Sequence, residues 1–98
     1  MILIEGTVRI PEGALERTRP AMEKMIAASR AEEGCIDYAY SVDVLDSSLI
    51  RIAERWRSRA DLAAHFKTPH MDDWRKAVAE AGVTERSLRL YEAEPEDF

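Results

Sequence analysis

Residues 35–56, CIDYAYSVDVLDSSLIRIAERW, contain two runs in which apolar and polar residues alternate, separated by a short polar turn. Such alternation is typical of β-strands that bury one face against a core. The pattern predicts strands over residues 35–43 and 49–56, with the turn at residues 45–48. Two strands joined by so short a turn are expected to form an antiparallel hairpin.

One register of this hairpin suits both of its faces. Three cross-strand pairs then share one face: Tyr40 with Ile52, Tyr38 with Glu54, and Ile36 with Trp56. The same register sets Asp37 opposite Arg55 on the other face, where opposite charges on neighbouring strands attract. The first of these faces is therefore predicted to be largely aromatic and apolar.

A strand and a long helix are predicted before the hairpin. Residues 2–9 are rich in Ile, Leu, Thr and Val, and the apolar period then becomes helical as far as Arg30. Pro20 lies inside that helix, so either it kinks the helix or the regular part begins at Thr18 with Pro20 in its first turn. Gly34 is expected at the C′ position that ends the helix.

Two helices and a last strand are predicted after the hairpin. Ser58 and Asp61 have the spacing of a capping box, which indicates a short helix. Thr68 is a suitable N-cap for the next helix, with Pro69 at its first position. That helix ends before residues 83–93, where alternation returns and predicts a fourth strand.

The predicted order is β-α-β-β-α-α-β, an α+β fold of ferredoxin-like type with a four-stranded antiparallel sheet and helices on one face. Residues 1–94 would form a single domain, and residues 95–98 a short acidic tail. The uncovered sheet face would carry several apolar side chains: Val8, Ala39, Leu49, Ala53 and Tyr91. A second copy would bury them, so we expect a homodimer through the open sheet face.

Composition limits the class of partner. The chain has 98 residues and a net charge of −5, which argues against nucleic acid as a partner because that requires a basic surface. No stretch is apolar and long enough to span a bilayer, and residues 1–10 lack a signal-peptide pattern. We therefore expect a cytoplasmic protein with no membrane partner. The single cysteine, Cys35, excludes an intrachain disulfide and a CxxC site.

A candidate site lies on the aromatic face of the hairpin, beneath the late helices. It would bring together seven side chains: Tyr38, Tyr40, Glu54, Trp56, His65, His70 and Trp74. The aromatic members fit a flat pocket for an aromatic ligand, and they would equally make an ordinary core. A buried Glu54 would have a raised pKa, which suits proton transfer, although a structural carboxylate is the alternative.

The two histidines, His65 and His70, are candidate bases or substrate contacts. His70 would lie at a helix N-terminus, where the helix dipole disfavours the imidazolium and keeps a base neutral. The alternative for either is a capping or partly exposed surface residue. As metal ligands they would need a third partner, and their spacing is not that of a pair on one helical face. We therefore predict no metal site.

Four segments resemble the pattern of antibiotic biosynthesis monooxygenase domains. They are Glu33-Gly34-Cys35-Ile36-Asp37-Tyr38, Ala53-Glu54-Arg55-Trp56, Ala63-Ala64-His65-Phe66 and Thr68-Pro69-His70-Met71. In that family a PGC-x-x-Y strand is followed by E-x-W and H-x-x-(S/T)-x-H, and the resemblance covers nearly the whole chain. It implies a dimeric α+β barrel. For characterised members it also implies oxidation of quinols, anthrones or related aromatics by O2, without metal or flavin.

This resemblance implies a small aromatic substrate, O2 and no cofactor. His65, His70 and Glu54 would be catalytic, with His70 or His65 as the base, and four aromatic residues would bind substrate: Tyr38, Tyr40, Trp56 and Trp74. Haem degradation, found in one branch of the family, depends on an Asn, and this chain contains none. Two rival hypotheses are a non-enzymatic ligand-binding or stress-associated dimer, and an isomerase or decarboxylase of the same architecture.

Overall fold

The computed structural model describes residues 1–98 as three helices and four strands. Along the chain the elements are β1 Ile2–Arg9, α1 Ala14–Arg30, β2 Cys35–Asp43, β3 Asp46–Trp56, α2 Arg59–His65, α3 Pro69–Ala81 and β4 Glu85–Glu92. The strands form one antiparallel sheet in the order β2-β3-β1-β4. The predicted α+β element order and sheet are confirmed. No helix is both long enough and apolar enough to cross a bilayer.

The hairpin register is confirmed between its two ends. The predicted turn at residues 45–48 is wrong, because β3 already begins at Asp46; the turn is Val44–Leu45, and the register shifts between Val42 and Asp43. Three predicted pairs are present: Tyr40 with Ile52, Tyr38 with Glu54, and Asp37 with Arg55. The predicted pairing of Ile36 with Trp56 is wrong, because Cys35 lies opposite Trp56 and the register shifts at the next residue. The extra residue in β2 is Ile36, whose side chain turns outward and is 52% exposed.

Helix α1 starts at Ala14 and continues through Pro20, so the alternative start at Thr18 is wrong. Proline has no N–H to donate, which leaves the carbonyl of Glu16 without its usual helical partner. Both residues are exposed, so water can satisfy that carbonyl. The helix tolerates this proline because it lies on the solvent side.

Gly34 lies in the turn between α1 and β2, three residues beyond Ala31, which is the C-cap of α1. The prediction that Gly34 is the C′ residue is therefore wrong. Its φ of +86° is in the left-handed region, and a Cβ built there would lie 2.3 Å from Cγ of Asp61. Only glycine fits where this turn packs against the first turn of α2.

The starts of α2 and α3 were predicted from their caps. The N–H of Asp61 donates to Ser58 Oγ at 3.2 Å, which confirms Ser58 as the N-cap of α2, and the Ser58 hydroxyl donates to the Asp61 carboxylate at 2.9 Å. The return bond of a capping box, from the Ser58 N–H to the Asp61 side chain, is absent, so only the first half of the predicted box forms. Thr68 is the N-cap of α3 as predicted, with Pro69 following it. Its hydroxyl, however, donates to the carbonyl oxygen of His65 at 2.7 Å. This bond ties the end of α2 to the start of α3.

The buried residues form two clusters on the helix-covered face of the sheet. The larger contains Ile2, Ile4, Met25, Tyr38, Trp56, Leu62, Met71 and Trp74, and the smaller contains Ile10, Ala14, Ile50 and Ile52. The placement of Val8 on the open face is wrong: it packs against the smaller cluster, opposite Ile50. On the open face, Ala39 pairs with Ala53, and the Tyr91 hydroxyl donates to Glu5.

Candidate active site

A cavity of about 350 Å³ lies between the helix-covered face of the sheet and helices α1 and α3. Sixteen of the 22 residues in its wall are hydrophobic. This volume and lining are those of small-molecule sites, which measure about 300–1,000 Å³. Five of the seven side chains expected at the site lie on the wall: Tyr38, Tyr40, Glu54, His65 and Trp74.

Aromatic rings form one side of the cavity. Tyr38 and Tyr40 are stacked, with ring centroids 5.7 Å apart and hydroxyl oxygens 3.5 Å apart. Trp74 from α3 meets Tyr40 edge to face at 6.0 Å. Burial raises the pKa of both tyrosines, so both hydroxyls stay protonated and are able to donate hydrogen bonds to an oxyanion.

The other two residues expected at the site, Trp56 and His70, lie behind the wall. Trp56 is fully buried, packs edge to face against Tyr38, and has its ring centroid 4.6 Å from that of His65. The side chain of His70 is 19% exposed, and its ring centroid is 6.0 Å from that of His65. These two residues contact members of the wall and not the cavity itself.

Glu54 places an acidic group on an otherwise apolar strand face. It is 7% exposed, and its carboxylate accepts a hydrogen bond of 2.9 Å from Trp56 Nε1–H. Burial raises the pKa of Glu54, while the Trp56 hydrogen bond and the charge of Arg86 oppose that shift. The carboxyl therefore holds its proton more strongly than a solvated glutamate, which suits proton transfer.

His65 and His70 converge on a carboxylate that the sequence analysis missed. Glu32 Oε2 lies 2.5 Å from His65 Nδ1 and 2.9 Å from His70 Nε2. The His65 side chain is 1% exposed and that of Glu32 is 14% exposed. The three residues come from the turn before β2, the end of α2 and the first turn of α3. Because 33 residues separate Glu32 from His65, no local spacing could have linked them.

These three side chains are of types that bind divalent cations, and their ligand atoms all lie within 4.8 Å of one another. Two of the contacts, however, are at hydrogen-bond distance. In a tetrahedral zinc site with bonds of about 2.1 Å, ligand atoms lie about 3.4 Å apart. The present geometry fits a carboxylate oxygen that accepts hydrogen bonds from two imidazoles better than it fits an ion site.

The other ring nitrogen of His65, Nε2, is buried and has no hydrogen-bond partner. Burial lowers the pKa of His65, and this outweighs the opposing effect of Glu32. The ring is therefore neutral near pH 7. A buried neutral imidazole with one free nitrogen, in the wall of an apolar cavity, is able to act as a general base.

Arg86 on β4 is a second wall residue that the sequence analysis missed. Its guanidinium forms no hydrogen bond or ion pair with the protein, and its charge opposes the rise in pKa that burial causes at Glu54 and Tyr40. The alternation of β4 places Arg86 on the same face as Leu88, which also lines the cavity. A free cation in the wall favours a ligand that carries or develops negative charge.

Comparison with known proteins gives a family and a fold. The sequence profile of the antibiotic biosynthesis monooxygenases matches residues 1–77. The probable quinol monooxygenase YgiN of Escherichia coli K12 is 33% identical over 93 residues, covering 76% of this chain and 88% of that protein. An uncharacterized Synechocystis protein is 26% identical over 90 residues, and this chain spans 61% of its length.

Solved structures agree with the fold. A crystal structure from Deinococcus radiodurans, assigned to the antibiotic biosynthesis monooxygenases, superimposes with a TM-score of 0.89. The alignment covers 100% of this chain and 97% of that one, at 23% identity. At this level of identity the likeness supports the arrangement of strands and helices and nothing finer.

Proposed function

The chain belongs to the antibiotic biosynthesis monooxygenase family, and from that membership we propose that it oxidises a small electron-rich aromatic with O2. The substrate class is a phenol, quinol or anthrone, and no cofactor takes part. One observation carries the proposal: an apolar cavity of about 350 Å³ has a buried neutral imidazole, His65, in its aromatic wall. Quinol oxidation is the activity named for YgiN, which supports this substrate class.

The substrate supplies every electron that the reaction needs. His65 removes the hydroxyl proton, and the resulting anion transfers one electron to O2. The substrate radical and superoxide combine to form a peroxide anion at carbon, which takes the proton back from His65. The resulting hydroperoxide then loses water to give a carbonyl. One atom of O2 stays in the product, and the other leaves as water with two hydrogens from the substrate, so no external reductant is consumed.

The wall residues are proposed to assist in three ways. Tyr38 and Tyr40 donate hydrogen bonds to the developing oxyanion, and the charge of Arg86 favours that anion. Trp74 stacks against the substrate ring and limits its orientation. Glu54, whose pKa is raised and which does not contact His65, donates its proton to the peroxide oxygen that leaves as water and takes the proton lost from carbon.

Oxygen uptake tests the proposal. The purified protein would be mixed with 1-naphthol, menadiol or anthrone in an oxygen electrode, with heat-denatured protein as the control for autoxidation. We expect catalysed uptake of one O2 per substrate molecule, and its loss in His65→Gln. Tight binding without turnover would favour the non-enzymatic hypothesis, and conversion without oxygen uptake would favour an isomerase or decarboxylase.

We further propose that residues 1–94 form the working domain and that two copies pair through the open sheet face. Support comes from the apolar members of that face, Ala39, Leu49 and Ala53, which no helix of the same chain covers. Burying them against a second copy would extend the thin core of so short a chain. Light scattering in solution would show a mass near twice 11.2 kDa, and a single-chain mass would contradict the pairing.

A further inference from the structure

Glu32 is the only acidic side chain that contacts either imidazole of the site. One of its oxygens, Oε2, is within hydrogen-bond distance of both His65 Nδ1 and His70 Nε2. Its main chain is held in the turn by two hydrogen bonds, from the Glu32 N–H to the carbonyl oxygen of Ser29 at 3.1 Å and from the Cys35 N–H to the carbonyl oxygen of Glu32 at 3.2 Å. A carboxylate oxygen that meets both rings imposes an orientation on each.

The protons of this cluster can be assigned by accounting for donors and acceptors. An ionised carboxylate has no hydrogen to donate, so each imidazole nitrogen that contacts it must carry one. His65 is then N–H at Nδ1, and His70 is N–H at Nε2. Because the buried ring of His65 is neutral, its one hydrogen is used at Nδ1, and Nε2 is left as a lone pair.

The unusual feature of the cluster is the second ring nitrogen of His65, Nε2, which has no hydrogen-bond partner. His65 Nε2 is buried with no donor from the protein, and buried polar atoms almost always have a partner. His65 is one of the wall residues of the cavity, so a ligand hydroxyl that enters the layer of side chains over Nε2 would supply that donor. His70 cannot take this role, because its Nε2 is already engaged by Glu32 and its ring is not in the wall.

We propose that Glu32 is a positioning residue: it fixes His65 in the Nδ1–H form, so that Nε2 is the atom that removes the substrate proton. The same carboxylate stabilises the imidazolium that forms when Nε2 is protonated, as the Asp of a Ser-His-Asp triad does. His70 is the second donor, which holds Glu32 in place and takes no proton from substrate. This inference rests on the proposed oxidation, with His65 as base, and adds the group that sets its tautomer.

The tautomer can be measured without any substrate. Long-range ¹⁵N–¹H correlation spectra of the ¹⁵N-labelled protein distinguish a protonated from an unprotonated ring nitrogen, and His65→Gln identifies the signals. We expect wild-type His65 to show a protonated Nδ1 and an unprotonated Nε2. In Glu32→Leu the acceptor is lost, and we expect a mixture of tautomers. Glu33→Gln is the matched control, since that neighbouring side chain is 89% exposed, and its spectrum should equal that of wild type.

Turnover provides the second readout. Glu32→Gln keeps the size of the side chain and an acceptor oxygen but loses the charge. We expect kcat for the best aromatic substrate to fall by about 10²–10⁴-fold, as for comparable changes beside a catalytic histidine. KM should change little, because Glu32 does not touch substrate. Glu33→Gln should retain both constants.

Three results would overturn the assignment. The first is a wild-type His65 with its proton on Nε2. The second is unchanged kcat in both Glu32→Gln and Glu32→Leu. The third is stoichiometric metal in the purified protein by mass spectrometry, with ring signals that shift when a chelator removes it. If the wild-type protein oxidises none of the aromatics, the proposed function fails, and the ¹⁵N spectra still decide whether Glu32 sets the tautomer.

Discussion

Glu54 and Trp56, two residues apart on β3, are joined by a hydrogen bond of 2.9 Å from the indole N–H to the carboxylate, and it is the one side-chain hydrogen bond that Glu54 forms. Trp56, which lies behind the cavity wall, thereby holds the Glu54 carboxylate in that wall. The stability of the fold and the ionisation of the site are coupled through this contact.

Trp56→Phe should lower the free energy of unfolding by about 2–4 kcal/mol, because it leaves a void at a fully buried position and removes the donor to Glu54. Urea denaturation would measure the loss. Trp74→Phe makes the same change at a residue that donates to no carboxylate, and there we expect about 1–2 kcal/mol. Equal losses at the two positions would show that the hydrogen bond contributes nothing.

Glu54→Gln should make the stability of the fold less sensitive to rising pH. The folded pKa of Glu54 lies above its unfolded value, so the folded state binds the proton more tightly. The wild type therefore loses stability as pH rises from near 4.5 through the folded pKa, and Gln cannot show this loss. The free energy of unfolding of both proteins would be measured between about pH 4 and pH 8. As the pH rises, the free energy of unfolding of Glu54→Gln should increase relative to that of the wild type. Glu80→Gln, at an exposed position, should show none.

Most of the fold was predictable because its signals are local. Alternation over residues 35–56 fixed the hairpin, and the cap at Ser58 fixed the start of α2. The extra residue at Ile36 was missed because a bulge leaves the apolar pattern unchanged while it shifts the pairing. Val8 was placed on the wrong face although alternation was sufficient to orient the strand. The even positions Ile2, Ile4 and Val8 are apolar, and the odd positions after Leu3 are polar.

Only those site residues whose proximity is set by local secondary structure could be predicted from the sequence. Tyr38, Tyr40 and Glu54 share a face of the hairpin, so their convergence follows from the register alone. Glu32 was missed because it meets His65 only after α1, the sheet and α2 have packed together. Before packing, it is one of two adjacent glutamates, and no sequence feature marks it as the buried one.

The two histidines should differ in their effect on turnover. His65→Gln removes the proposed base and should lower kcat by about 10²–10⁴-fold. His70→Gln removes only one donor to Glu32 and should cost about tenfold or less. Steady-state oxygen uptake measures both, with circular dichroism to confirm folding. A larger loss of kcat in His70→Gln than in His65→Gln would show that His70, and not His65, is the base.

Filling the cavity should block ligand binding without unfolding the protein. Val78→Phe places a larger ring where the wall now leaves space, so we expect aromatic affinity to fall at least about tenfold. The free energy of unfolding should change by less than about 1.5 kcal/mol, because the new side chain occupies existing volume. Calorimetric titration with 1-naphthol measures the affinity. Val44→Phe makes the same change at a side chain that is 98% exposed and should bind as wild type does.

Gly34→Ala should destabilise the fold and disturb the Glu32 cluster. The new Cβ would meet the Asp61 side chain at 2.3 Å and would also occupy a left-handed conformation, so we expect a loss of about 2–4 kcal/mol. Gly13→Ala is the matched control: its φ is +77°, and only the flexible Arg17 side chain lies nearby, at 3.1 Å. For Gly13→Ala we expect the free energy of unfolding to fall by about 1–2 kcal/mol, from backbone strain alone. Similar losses would mean that the turn does not pack on α2.

The central claim is that one atom of O2 is transferred to an aromatic held in the cavity. Turnover of 1-naphthol under ¹⁸O2, followed by mass spectrometry of the quinone and the water, measures this directly. We predict one ¹⁸O atom in the product and one in water, with no labelled hydrogen peroxide, and a rate that depends on His65. An unlabelled product accompanied by labelled peroxide, or a rate equal to that without protein, would contradict the account.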